Sequence, residues 1–528
     1  MKLYDECIIY WGRFYLIKTA KMNISIYMKV STILLCIAII YSLLVFNGLI
    51  DAFAPKHIVV IEETVRNSYL NMDSRMINQI PGFYAFGAVF KLITNFPSIG
   101  LLLYPIQMIP FLVVFYAFIY KLSNSYLFTS IVVLVQLTAG TTGTQRLFLW
   151  PHGIGGIVFY TFLLVFALMI LNNNHKVAYK IMLIIAGISI IFISYNSYVV
   201  IMIFLFVNAA IATINNSKVL KIKNIIQNYN KELIGLLIIL IIAQLGLSQF
   251  FYQTFVPTIM SDIEITGFDK FMNAYFNKEP VTNQLVISKL LITYPQIITT
   301  ISLIKYTTIL MSIILFLYLL IQKYKINNKI NVFDQVTLSF VAVYFFYGLV
   351  RLAIGGFPIT LLYFPGIICI IWLYRHSNWK NMATFSILII LILNPVYTFS
   401  MNEAVPKDNI HNTDYIKQSS NWYFQHKNKD ISSVSDELTR NLFQYYIHDK
   451  TNNLHTTSII KSDQISFLLQ DPSSQQNQKN YYILNYYSSS MSIQNWRILK
   501  SWKYSESVIN SNNNISKIYD NNGLSIHT

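Results

Sequence analysis

Long apolar runs separated by short polar connections set the pattern of this chain. The first, VSTILLCIAIIYSLLVFNGLI, covers about 30–50, and LLLYPIQMIPFLVVFYAFIY covers about 101–120. Further runs lie near 125–141, 154–172, 178–195, 197–214, 233–252, 301–322, 333–351, 357–374 and 382–400. A helix of roughly 20 apolar residues crosses the hydrocarbon core of a bilayer, so the pattern predicts about eleven transmembrane helices. The stretch between the first two runs is different. It holds Asp51, Lys56, His57, Glu62, Glu63, Arg66, Asp73 and Arg75, then an apolar segment, 81–94, too short to cross. Pro55 suits a helix start. Ile58, Ile61 and Val65, extended by Tyr69, fall on one helical face, with Glu62, Glu63 and Arg66 on the other. A second helix opens at Pro81-Gly82 and is broken by Asn95, Phe96 and Pro97.

Charge gives these runs a direction. Lys and Arg gather before the first run and in alternate connections: Lys121; Lys176 and Lys180; Lys218, Lys221, Lys223 and Lys231; Lys323, Lys325 and Lys329; Arg375 and Lys380. Basic connections stay cytoplasmic, which puts the N-terminal segment 1–28 inside. Counting 81–94 as a span would turn the Lys218–Lys231 cluster outward. That segment therefore reads as a re-entrant or interfacial helix within a long first outer loop, 51–98. The membrane domain extends over 29–400, and eleven crossings put the remainder, 401–528, outside. There the texture turns to Asn, Ser, Tyr and Lys, with DISSVSDELT as a strand leading into a helix with Asp436 near its cap, a strand-like YYILNY and a terminal hairpin turned at Asp520-Asn521-Asn522-Gly523. The fold class expected is an α-helical polytopic membrane protein with a C-terminal extracytoplasmic α/β domain. No small-residue cleavage site follows the first run, so it reads as an uncleaved signal anchor, with Met22 or Met28 as alternative starts.

Composition supports the membrane reading. The chain is 54% hydrophobic and 12% charged, with mean hydropathy +0.48, which is not the profile of a soluble globule. Its net charge of +16 lies mainly in the inside connections, while the tail is nearly neutral; nucleic acid is not expected as a partner. Cys7, Cys36 and Cys369 support neither a disulfide framework nor a cysteine metal site. CxxC, HExxH, Walker A and GxGxxG motifs are absent from the sequence.

Asp51 stands at the outer end of the first span. A carboxylate there marks the water boundary, or serves as a general base that takes a proton from an alcohol attacking an electrophilic carbon. Glu62, Glu63 and Asp73 compete; the glutamates read as a solvated helix face, and Asp73, in a polar turn, is the rival. Arg146, His152, Lys305 and Arg351 lie at outer span ends. Singly they are snorkelling anchors; together they suit a lipid-linked phosphate or diphosphate, whose departure needs positive charge. Asp262, Glu264 and Asp269 can ligate a metal but read better as a solvated loop face. No cofactor is called for, and a divalent metal has no support.

This succession resembles the GT-C superfamily of membrane glycosyltransferases, especially its large prokaryotic members. The residues that carry the likeness are Asp51 and His57 at the start of the first loop, then Pro81-Gly82-Phe83-Tyr84. The tail adds Val434-Ser435-Asp436-Glu437-Leu438-Thr439 and Ile518-Tyr519-Asp520-Asn521-Asn522-Gly523. The resemblance implies a polyprenyl-phosphate sugar donor within the membrane lipid and a glycan, lipid or protein acceptor on the outer face. It implies an acidic catalytic base, carried onto Asp51, and basic residues such as Arg351 or Arg146 on the donor phosphate. His57 is then an orienting or acceptor-side residue. The chain lacks the adjacent Asp-Glu or Asp-x-Asp pair of some branches, which leaves the base open between Asp51 and Asp73. The alternative is a non-enzymatic lipid-linked oligosaccharide flippase, another transporter or an assembly factor of cell-surface glycan.

Overall fold

The computed structural model describes residues 26–45, 54–71, 80–95, 106–139, 151–171, 176–217, 223–247, 291–293, 296–327, 331–354, 362–404 and 414–426. It also describes 77, 443 and 446 and the short strands 432–435, 460–462, 480–485, 497–499, 517–520 and 524–527. The chain is mainly helical. Helices α1 (Ile26–Val45), α2 (Ala54–Asn67) and α3 (Pro81–Thr94) come first, followed by α4 (Met108–Ser123), α5 (Tyr126–Leu137), α6 (Pro151–Leu171) and α7 (Lys176–Ile193). Then come α8 (Tyr195–Ser217), α9 (Lys223–Leu247), α10 (Gln296–Asn327), α11 (Val332–Ile354), α12 (Tyr363–Arg375), α13 (Lys380–Ala404) and α14 (Asp414–His426). Among the described residues, two segments are long and apolar enough to cross a membrane, Thr300–Ile326 in α10 and Lys380–Thr398 in α13.

Some runs expected as spans form shorter helices among the described residues. α5 has 12 residues, and α12 has 13. Burial accounts for the apolarity of α12, since everything from Pro365 to Leu373 is buried, including Cys369 and Trp372. Gly366 lets α10 approach closely, because a Cβ there would collide with Ile309. The continuous core runs from Phe111, Phe115 and Phe118 on α4 through Phe162 and Phe166 on α6 to Ile309 and Phe316 on α10.

Basic residues collect at one end of this bundle. Lys323 Nζ, in the last turns of α10, donates to Asp334 Oδ2 at 2.6 Å, and Asp334 is fully buried. Asp334 also accepts from Trp372 Nε1 at 2.8 Å, so a single carboxylate joins α10, α11 and α12. Its place is fixed by a reciprocal cap: Asp334 N donates to Asn331 Oδ1 at 2.8 Å and Asn331 N to Asp334 Oδ2 at 3.1 Å. Arg375 lies over Phe333 and Lys380 over Tyr374, and Lys180 pairs with Glu232. Lys323, Arg375 and Lys380 therefore share an end.

The first loop's helices sit at the other end, where α6 begins and α7 finishes. Gly82 meets Phe192 and Ile193 of α7, and Ile154 of α6 packs with Phe83 and Tyr84. α2 and α3 run parallel. His57 faces Tyr84, Ile61 faces Gly87 and Glu62 faces Lys91, so contact positions advance together along both helices. Each helix is roughly 20 Å long. Ile77, between the two helices in the chain, is buried in the same cluster. The expected amphipathic face is displaced. Ile58, Val59, Val60, Ile61 and Thr64 are buried, whereas Val65 is half-buried and Tyr69 is exposed, because α3 covers the side of α2 that carries His57 and Ile61.

In the C-terminal part, strands β2 (Ser432–Ser435), β3 (Ile460–Ser462), β4 (Asn480–Asn485), β6 (Lys517–Asp520) and β7 (Leu524–His527) form one sheet in the order β3-β2-β4-β7-β6. β4 is the YYILN stretch. It pairs parallel with β2 and antiparallel with β7, and its Ile483 is buried. β6 and β7 form the expected terminal hairpin. β1 (Leu291–Thr293) pairs antiparallel with β5 (Arg497–Leu499).

Candidate functional site

The structure places the sequence-derived residues unequally. Asp51, Asp73 and Arg146 lie outside the described residues, as do Asp262, Glu264 and Asp269 of the long 253–300 loop. His152 falls in the first turn of α6 and Arg351 in the last turn of α11; only their backbones are described. His57 and Lys305 are described in full.

His57 is half-buried on α2. Its Nδ1 is 2.7 Å from the Tyr84 hydroxyl, and its ring meets Phe83 edge-on at 5.4 Å. Tyr84 is fully buried, and burial pushes its phenol well above the ordinary tyrosine range. The phenol therefore keeps its proton, and its hydroxyl and His57 Nδ1 share one hydrogen bond whose direction follows the imidazole tautomer. Lys91 Nζ lies 3.0 Å from Glu62 Oε1 across the same helix pair. Glu62 is thus a tie between α2 and α3 rather than part of a solvated face. The pairing spans 29 positions, which no helical periodicity reveals. Tyr84→Phe is expected to lower stability by about 1 kcal/mol, the worth of one hydrogen bond. A thermal midpoint in detergent unchanged from wild type would show that the His57 contact carries no weight.

Lys305 is the tenth residue of α10 and only 7% exposed, so it does not snorkel to water. Its Nζ donates to Asn394 Oδ1 at 3.4 Å. It lies 5.3, 5.4 and 5.1 Å from the ring centroids of Tyr306, Tyr363 and Tyr397. Asn394 Nδ2 donates in turn to the Val135 carbonyl at 2.9 Å and to the Tyr363 hydroxyl at 3.2 Å. That carbonyl is available because α5 stops at Leu137, and the last carbonyls of a helix have no partner within it. Pro395 follows Asn394 inside α13 and removes one helical hydrogen bond beside the site.

No carboxylate among the described residues pairs with Lys305. Removing an ammonium from water costs several kcal/mol. Three aromatic faces return about 1 kcal/mol or somewhat more each when desolvated. The amine keeps donor capacity beyond its one bond to Asn394, so the arrangement suits an anion that supplies the missing charge. Two more amides at this end of the bundle, Gln107 and Gln244, are buried without a hydrogen-bond partner; the structure gives no reason for either.

Sequence reasoning found Lys305 and missed its setting. Asn394, Tyr306, Tyr363 and Tyr397 passed as span residues. The available signal was Asn394-Pro395, a polar amide and a helix breaker adjacent within an apolar run. Among the described residues, no three His, Cys, Asp or Glu side chains converge as a metal site. No protein-family model and no curated protein matches this chain.

Proposed function

We propose that this chain is a multi-pass membrane glycosyltransferase that moves a sugar from a polyprenyl-phosphate donor to an acceptor on the outer face. In this reading α1 and α4 through α13 are the eleven spans, and the basic end is cytoplasmic. α2 and α3 lie at the outer surface, and the C-terminal sheet belongs to an extracytoplasmic α/β domain. The supporting observation is the buried Lys305, walled by three tyrosines and paired with no described carboxylate, at the end away from the basic residues. Lys305 neutralises the lipid phosphate as it departs. The acceptor oxygen bonds to the anomeric carbon as the bond from that carbon to the phosphate oxygen breaks. The acceptor's proton goes to a carboxylate of the first outer loop, Asp51 with Asp73 as rival. Direct displacement inverts the anomeric centre. His152, Arg146 and Arg351 remain further cations for the donor.

The test is transfer from a labelled polyprenyl-phosphate sugar by purified protein. Asp51→Asn is expected to lose most of the activity; equal activity in both would move the base to Asp73. A second reading, a transporter of lipid-linked sugar, draws on Pro395, a helix interruption beside a buried cation. Wild-type protein that moves labelled lipid across proteoliposomes without transferring its sugar would favour that reading.

A further inference from the structure

At the basic end, the first turns of α5 and α13 and the last turn of α12 surround an open cleft of about 470 Å³. Its rim is polar, with Ser125, Asn381 and Lys380; its wall is apolar, with Phe128 and Ile131. Lys380 is held at the rim. Its Nζ lies 5.1 Å from the centroid of the Tyr374 ring, and that ring is fixed in turn, stacked 3.8 Å from Phe128. The Tyr374 hydroxyl donates to Ser125 Oγ at 3.1 Å, and Ser125 Oγ also accepts from Phe128 N at 3.4 Å. With its acceptor side filled twice, the Ser125 hydroxyl has its own proton to give.

Two carboxylates described at the basic end are already engaged. Asp334 is held by Lys323 and Trp372, and Glu232 by Lys180. No carboxylate among the described residues pairs with Lys380. A positioned cation and hydroxyl above an apolar wall match an amphipathic anion. We propose that this cleft binds a phosphate headgroup, that of an anionic phospholipid whose acyl chain lies along Ile131 and Phe128. Basic pockets between membrane helices hold acidic headgroups in this way. The lipid source rests on the membrane reading above but not on sugar transfer, because neither Asp51 nor Lys305 takes part.

Native mass spectrometry of the full chain in detergent, titrated with phosphatidylglycerol, phosphatidylcholine or inorganic phosphate, tests this. Phosphatidylglycerol is expected to bind in preference to phosphatidylcholine. Lys380→Gln should weaken it about tenfold, the loss of one charged hydrogen bond. Lys380→Arg should retain it. Lys325→Gln, which removes an exposed charge from the same end outside the cleft, should leave it unchanged. Equal binding of the two lipids, or equal weakening by Lys380→Gln and Lys325→Gln, overturns the site. Inorganic phosphate that competes at concentrations like those of the lipid overturns the lipid source and assigns a soluble anion. Lys380 is exposed, and its substitution removes only the contact with the Tyr374 ring; a thermal midpoint for Lys380→Gln equal to wild type separates lost binding from misfolding.

Discussion

Lys305→Met should cut transfer from a polyprenyl-phosphate sugar by about 10²–10³-fold, the usual loss when one stabiliser of developing charge is removed. The same change should leave the folded protein at least as stable. Methionine is unbranched and one atom shorter than lysine, and the substitution replaces a buried ammonium without a described carboxylate partner by an apolar chain among three aromatic rings. The two readouts together separate the explanations. Lost activity at unchanged stability identifies a ligand-facing charge. Lost stability with retained turnover would mean that Lys305 only holds Asn394 in place. Lys305→Arg keeps the charge, and it should recover part of the rate only where the larger guanidinium fits.

Asp334→Ala should carry the largest stability cost, about 3 kcal/mol, the lower part of the range for breaking a buried charged pair. The lower part applies because Lys323 is 27% exposed and water recovers some of its charge. What cannot be recovered is the geometry. Removing the carboxylate orphans Trp372 Nε1, breaks the reciprocal cap of α11 and unties the ends of three helices at once. The check is the unfolding midpoint in detergent, with Asp334→Asn as the milder comparison. A double variant with Lys323→Met that costs no more than Asp334→Ala alone would confirm coupling through this pair. A midpoint for Asp334→Ala equal to wild type would refute it.

Most of the described helices were legible as apolar runs, and the common end of Lys323, Arg375 and Lys380 was legible in their spacing, because both signals are local and repeat along the chain. The arrangement of α2 and α3 was not. A connection of 68–80 permits either direction, and Gly87 against Ile61 is a choice made by packing. The burial of α12 was equally hidden, since an apolar run reads alike whether lipid or protein surrounds it. For the candidate site, the cation was visible and its environment was not. Tyr363 and Asn394 reach Lys305 from helices distant in sequence, and both also donate to the Val135 carbonyl, which the end of α5 leaves without a helical partner.

The burial of α12 also builds a reporter into the chain. Cys369 is completely enclosed in the middle of that helix, whereas Cys36 on α1 is exposed. In a background with Cys7 and Cys36 replaced by serine, a thiol reagent can reach the remaining sulfur only when the packing around α12 parts. Its labelling rate then clocks how often the interior opens, with no need for a donor, an acceptor or any turnover.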